Sequence, residues 1–175
     1  MGHQPFETVL AAHHSEIHRY LRRVTARASD ADDLSQETFL RAWRAYRALD
    51  ADANVRAWLF TIATNLARNH FRAERRRRNA HAGVKAVRRE SDGAGPDSEA
   101  TYKETRTRLD QVVAALPVKQ RAAFVLRKVH DLDYEAIARS LDCTAETARA
   151  HVFQALRKVR RGLEGFALPQ MELPS

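Results

Sequence analysis

Cysteine is almost absent from this sequence: Cys143 stands alone among 175 residues. That excludes an internal disulfide and any cysteine-built zinc cluster. Long apolar runs are missing too, since nothing approaches the roughly 20 consecutive apolar residues that cross a bilayer. Met1 to Phe6 has neither a basic start nor an apolar run, so no secretory leader is expected and the expected compartment is the cytoplasm. Glycine and proline are scarce and unevenly placed. After Gly2 and Pro5 neither type occurs until Gly83, and a cluster follows at Gly93, Gly95 and Pro96. No period-two run with turn chemistry appears, no internal repeat, and no Gly-rich phosphate loop.

What is present suits a folded chain. The hydrophobic fraction is 44% and the charged fraction 30%, enough to bury a core and to exclude wholesale disorder. The net charge of +8 is confined to one place. Residues 1–67 carry eight basic and eight acidic side chains, and residues 90–175 carry thirteen of each. Between Arg68 and Arg89 there are nine basic residues and one acid, Glu74. A localised positive band is an electrostatic footprint for a polyanion, although a solvated basic face or a targeting run has the same composition.

The stretch Asn79 to Glu99 is small and polar beyond its basic start and reads as a linker between two compact parts. Both parts have helical periodicity. Ile17, Leu21 and Val24 recur at spacings of four and three; Leu34, Phe39, Leu40 and Trp43 continue the apolar pattern, as do Trp58, Leu59, Ile62 and Leu66. Past the linker, Leu109, Val112, Val113 and Leu116 share one helical face, and Pro117 ends that helix. The expected fold class is all-α.

In the C-terminal part, Asp133 is placed to cap a short helix over Tyr134 to Ser140. Leu141, Asp142 and Cys143 make a turn, and Thr144 caps a longer helix from Ala145 to about Gly162. Short helix, three-residue turn and longer helix is the spacing of a helix-turn-helix. On the longer helix, Ala148, Val152, Ala155, Leu156, Val159 and Leu163 share the side expected to face the core. Ala150, Phe153, Gln154, Arg157 and Lys158 point the other way, with Arg149 and His151 on the flanks. Phe153 on a polar face suits a major groove, where an aromatic ring packs on a thymine methyl. The alternative is a basic amphipathic helix with Phe153 against a neighbouring domain. Cys143 in the turn reads as a small core residue.

In the N-terminal part, DADDLSQETFLRAWRAY puts Asp33 and Glu37 one helical turn apart, with Asp30 as the expected cap and Gln36 and Arg41 beside them. Paired carboxylates can bind a divalent metal or serve as acid and base. With no histidine close by, a solvated or protein-docking face is the better reading. His13, His14 and His18 are too few for a metal site and read as part of an amphipathic helix. In VRAWLFTIATNLARNHFRAERRRR, Arg68, Arg72, Arg75 and Arg76 form a stripe beside Asn65 and Asn69, with Trp58 upstream and Phe71 interleaved. Arginines track phosphates and aromatics stack on unpaired bases. Phe71 reads as core, while Trp58 is open between core and stacking. No catalytic residue, metal or cofactor is expected.

DADDLSQETFLRAWRA, VRAWLFTIATNLARNHFRAERRRR and LPVKQRAAFVLRKVHDLDYEAIARSL resemble, in this order, the successive signatures of bacterial sigma factors of the sigma-70 family. The compact layout is similar to the extracytoplasmic-function class. The resemblance implies a region 2 domain over 1–78, a linker over 79–100, a region 4 helix-turn-helix domain over 101–166 and a tail over 167–175. It implies a dissociable, non-catalytic subunit that brings core RNA polymerase to promoters and helps melt them. Asp33, Leu34, Gln36 and Glu37 match the family's contacts to the β′ clamp helices; the β subunit is a further expected partner. The loop Leu49 to Arg56 and the helix carrying Trp58, Asn65, Arg68 and Arg72 match the handling of the −10 element, where a base of the melted non-template strand is flipped into a pocket. The family's −35-reading positions fall on Arg149, Ala150, Phe153 and Gln154 in duplex DNA. Arg75, Arg76, Arg157 and Lys158 add basic contacts, and an anti-sigma partner is expected. Asn69, Asp142 and Gln154 depart from the family's frequent Asp, Gly and Arg. The competing reading is a stand-alone helix-turn-helix regulator, which leaves the N-terminal part unexplained; a metal-dependent hydrolase built on Asp33 and Glu37 has less support.

Overall fold

A computed structural model describes residues 4–81 and 100–164, with side chains in the second stretch described from residue 104. The expected linker therefore lies mostly outside the described residues, and the tail wholly so. The N-terminal part consists of α1 (Phe6–Thr25), α2 (Ala28–Ala45), a 3₁₀ turn (Tyr46–Ala48) and α3 (Val55–Ala80). The C-terminal part consists of α4 (Ala100–Ala115), α5 (Val118–Lys128), α6 (Tyr134–Leu141) and α7 (Ala145–Gly162). Among the described residues there is no strand.

Local chemistry sets most boundaries. Pro5 and Pro117 stand immediately before α1 and α5, where a missing N–H leaves no bond unmade. Ala26 ends α1 in the left-handed region at φ 61°. The extended Arg27 then starts α2 three residues earlier than the expected cap. Asp30 is therefore not a cap. It lies in the first turn of α2, where a carboxylate favours the helix dipole, and its Oδ2 is 3.3 Å from His70 Nε2 on α3. Asn54 does cap α3, accepting from the Ala57 amide at 2.9 Å.

The N-terminal core is built on Ile17, Tyr20, Leu21, Leu59 and Phe60, all fully buried. Tyr20 meets Phe60 edge-on at 5.3 Å. Its hydroxyl shares a 2.7 Å hydrogen bond with Thr64, and burial pushes the phenol well above its usual pKa. In the C-terminal part, Val125, Leu126, Ile137, Leu141 and Val152 are buried in the same way.

The two parts close on each other into one continuous core. α6 lies along α3, and α5 against α1. Arg121 of α5 is buried and donates across the junction to the Val24 carbonyl, and within its own part to the Ala114 and Leu116 carbonyls. Arg56, at the start of α3, donates to the His130 carbonyl at 2.6 Å and pairs with Glu16 of α1. The His130 ring donates from Nδ1 to Glu16 at 3.2 Å and sits among Tyr20 and Phe60, 5.8 and 4.9 Å away. Thr61 and Ser140 share a 3.1 Å hydrogen bond. A flexible spacer between independent parts is what the composition suggests; a buried arginine and a histidine–carboxylate–arginine cluster hold the parts together.

Candidate nucleic-acid interface

The helix-turn-helix forms as its caps dictate. Asp133 Oδ1 accepts from the Ala136 amide at 2.7 Å and opens α6. Asp142 ends it in the left-handed region at φ 54°, a region where Asp is enriched among non-glycine residues. Thr144 then accepts from the Thr147 amide at 3.1 Å and opens α7. Cys143 is half-buried between the two helices. Burial raises its thiol pKa against the opposing pull of Lys119 and Arg68, so it packs as a neutral thiol.

The faces of α7 separate as expected. Ala148, Val152, Ala155, Val159 and Leu163 are buried, while Leu156 is half-buried. Arg149, Ala150, Phe153, Gln154, Arg157 and Lys158 are exposed. Phe153 is 60% exposed, so its ring faces outward and does not pack on a neighbouring domain. The Arg149 guanidinium stacks over the Tyr134 ring at 4.9 Å, with Arg127 over the same ring at 5.2 Å. Such cation–π contacts hold a long side chain at the start of α7 in a defined direction. His151 is half-buried; burial, then the charge of Lys119, lowers its pKa, so it adds little positive charge to this face at neutral pH.

On α3 the basic stripe is real and mostly exposed. Asn65, Asn69, Arg72, Arg75 and Arg76 face solvent, while Arg68 is half-buried with its guanidinium 3.4 Å from Asn65 Oδ1. Glu74, the single acid of the band, pairs with Arg27, just before α2, at 3.5 Å and with Arg78 at 4.0 Å, leaving Arg72, Arg75 and Arg76 exposed. Trp58 is half-buried against the core, and Phe71 packs there too, with Arg121 above its ring at 5.7 Å.

On α2, Asp33 and Gln36 are exposed, Glu37 is half-buried and Leu34 packs inward. Arg41 donates to Glu37 at 2.6 Å, an i,i+4 pair on the helix surface. Leu40 and Trp43 continue the apolar helical pattern, but they do not join the core. Leu40 is 44% exposed and Trp43 62%. They continue the line Asp33–Gln36–Glu37 at helical spacing, so one outward face is acidic at its start and apolar further on. Apolar spacing of three does not say which side of a helix it marks; only the packing of Phe39 and Ala42 on the other side does. Among the described residues no cluster of His, Cys, Asp or Glu could hold a metal, and none of the helices is long and apolar enough to cross a membrane.

Family models match both parts of the chain: Sigma-70 region 2 over residues 9–77 and Sigma-70 region 4 over residues 106–159. The ECF RNA polymerase sigma-E factor of Salmonella typhimurium is 32% identical over 150 residues, covering 78% of each chain. The chain belongs to the sigma-70 family, in its extracytoplasmic-function class. The RNA polymerase sigma-H factor of Pseudomonas aeruginosa is 29% identical over 167 residues, covering 91% of this chain and 86% of that one. Two solved structures share the fold. The sigma factor RpoE of Bartonella quintana, in complex with the anti-sigma factor NepR, superposes with a TM-score of 0.75 at 22% identity, covering 93% of this chain and 98% of that chain. CnrH, in complex with the cytosolic domain of CnrY, gives 0.64 at 21% identity, covering 93% and 89%. This sigma factor recognises promoters for RNA polymerase. The stand-alone regulator is not favoured, because region 2 occupies the part of the chain which that reading leaves idle.

Proposed function

We propose that the three exposed faces divide the work of initiation as follows. The outward face of α2, with Asp33, Gln36, Glu37, Leu40 and Trp43, docks on the β′ clamp helices of core RNA polymerase. Trp58, Asn65, Arg68, Arg72, Arg75 and Arg76 on α3 meet the −10 element and the melted non-template strand. Arg149, Ala150, Phe153 and Gln154 on α7 read the −35 element, with Arg157 and Lys158 on its phosphates. The protein is non-catalytic and acts in the cytoplasm. An anti-sigma protein is its regulator, a reading supported by the bound anti-sigma factor of the RpoE relative.

The observation that carries this reading is Phe153, 60% exposed among cations on the side of α7 opposite its buried stripe. A phenyl ring left in water on a stable helix fits a face built to be covered, and a thymine methyl supplies an apolar partner in the major groove.

The closed arrangement adds a requirement. Elements named −35 and −10 lie about 25 base pairs apart, roughly 85 Å at 3.4 Å per pair. A compact body the size of the described residues has a radius of gyration of about 15 Å, hence a diameter of about 40 Å. The closed chain cannot touch both elements, and α6 lies on the helix that carries the −10 residues. Binding to core polymerase must therefore accompany separation of the two parts. A gel shift on a cognate promoter, with and without core polymerase at one salt concentration, tests this. Weak binding by the free chain and tight binding with core are expected, with Arg149→Ala and Phe153→Ala each lowering −35-dependent affinity by about 1–3 kcal/mol. Tight, sequence-specific binding by the free chain would reverse the conclusion.

A further inference from the structure

Gln154 sits on the proposed reading face, but its amide is held from behind. Gln120 of α5 donates from Nε2 to Gln154 Oε1 at 2.6 Å, and Lys158 Nζ donates to Gln120 Oε1 at 2.9 Å. Gln154 and Lys158 are one helical turn apart on α7, so a single side chain from α5 reaches both. The orientation of all three groups follows from Lys158. An ammonium can only donate, so Gln120 must turn its oxygen to Lys158 and its NH₂ to Gln154. Gln154 must then turn its oxygen inward to accept, and what it presents outward is its NH₂.

That matters for readout. A free glutamine recognises adenine with both halves of its amide, donating to N7 and accepting from the N6 amine. Gln120 occupies one of the two lone pairs of Oε1, so the acceptor half of the Gln154 amide is partly engaged while both N–H donors stay available. Two available donors beside a partly engaged acceptor favour the acceptor edges of guanine (O6 and N7) and thymine (O4) over the mixed edge of adenine. We infer that Gln120, which is outside the α7 face, sets specificity at the base pair facing Gln154, by fixing the orientation of its amide and biasing it from adenine toward guanine or thymine. Lys158 consequently has two roles: it keeps two donors for phosphate and holds Gln120 in its working orientation.

The inference rests on α7 being the −35 reader, and the experiment separates the two. Holoenzyme reconstituted from core polymerase and each variant is used to select −35 sequences from a randomised promoter pool. Gln154→Ala should erase the preference at one position, which identifies the base pair concerned. Gln120→Ala should leave total affinity nearly unchanged while moving preference at that position toward adenine by about fivefold, the scale of one hydrogen bond. Gln120→Glu is the sharper variant. A carboxylate only accepts, so Gln154 must turn its NH₂ inward and expose its oxygen, and preference should move to bases with a major-groove donor, cytosine or adenine. Unchanged preference in both Gln120 variants, at a position that Gln154→Ala does alter, would overturn the role of Gln120 while leaving α7 as the reader. No change at any −35 position in Gln154→Ala, Arg149→Ala and Phe153→Ala would overturn both.

Discussion

Trp43 and Phe153 are large apolar side chains that the fold leaves outside, and each marks a face. Scattered exposed apolar residues are ordinary on a protein surface, but Trp43 lies in line with Leu40, Glu37 and Asp33 on one helix. Tryptophan is also among the residues that dominate binding interfaces. Trp43→Ala should therefore weaken binding to core polymerase by about 2 kcal/mol or more, roughly thirtyfold, while thermal stability changes little, because the ring is already mostly in water. Glu37→Lys should go further, abolishing binding with helical content intact, since a charge facing its like across an interface costs several kcal/mol. Core affinity is measured by competition with the wild-type protein. Wild-type affinity in both variants would remove this face from the interface.

The helices themselves were legible to different degrees. α6 and α7 begin where Asp133 and Thr144 place them, because a side-chain oxygen bonding to an amide three residues on is a local interaction that needs no tertiary partner. The start of α2 was not legible, because Arg27 and Ala28 carry no capping chemistry and the boundary follows from how α1 turns at Ala26. The end of α7 shows the same tension between local and tertiary effects. Helix propensity alone says that Gly162→Ala stabilises, by about 0.5–1 kcal/mol. A β-carbon there would sit 2.6 and 2.7 Å from the two γ-carbons of Val112 on α4. Valine is stiff at χ1 and cannot swing aside, and overpacking of this kind costs about 1–3 kcal/mol. The net effect should be a loss of about 1 kcal/mol in chemical denaturation. A gain would show that α4 yields at this contact, and double substitution with Val112→Ala should restore the gain from propensity.

At the scale of the molecule, Glu16, Arg56 and His130 form the cluster that holds the two parts closed. Burial pushes His130 below the usual imidazole pKa, and the charges of Arg56 and Arg23 add to this; the hydrogen bond and charge of Glu16 oppose it without prevailing. Burial raises the Glu16 carboxyl, but hydrogen bonds to Arg56 and His130, with their charges, outweigh it and leave the pKa below its usual value. Both shifts have the same sign of linkage. The closed form binds fewer protons than the open or unfolded chain, so its stability rises with pH. The His130 contribution starts to fall below about pH 6.5 and continues falling until the lowered pKa is passed; that of Glu16 is lost as pH falls from about 4.5 through its own lowered value. Small-angle scattering should therefore show a larger radius of gyration at pH 5.5 than at pH 7.5, and His130→Gln should flatten that step. A radius independent of pH in the wild-type chain would assign the closure to Arg121 and the apolar contacts alone.

The sequence by itself determined the helix-turn-helix, the two sides of α7, the basic stripe on α3 and the family. Each rests on caps, helical periodicity or local charge, interactions within a few residues of one another. The tertiary structure decided what those segments meet. Arg121 gives no sign in the sequence that it will reach the Val24 carbonyl, nor Glu16 that it will bind a histidine more than a hundred residues later. Leu40 and Trp43 share the spacing of core residues and lie outside, and Gln154 lies on a reading face with half of its amide already engaged. Periodicity specifies that a helix has two sides. Which side is covered, and by what, depends on groups brought together only when the chain closes, and there the burial of one side chain is determined by the geometry of another.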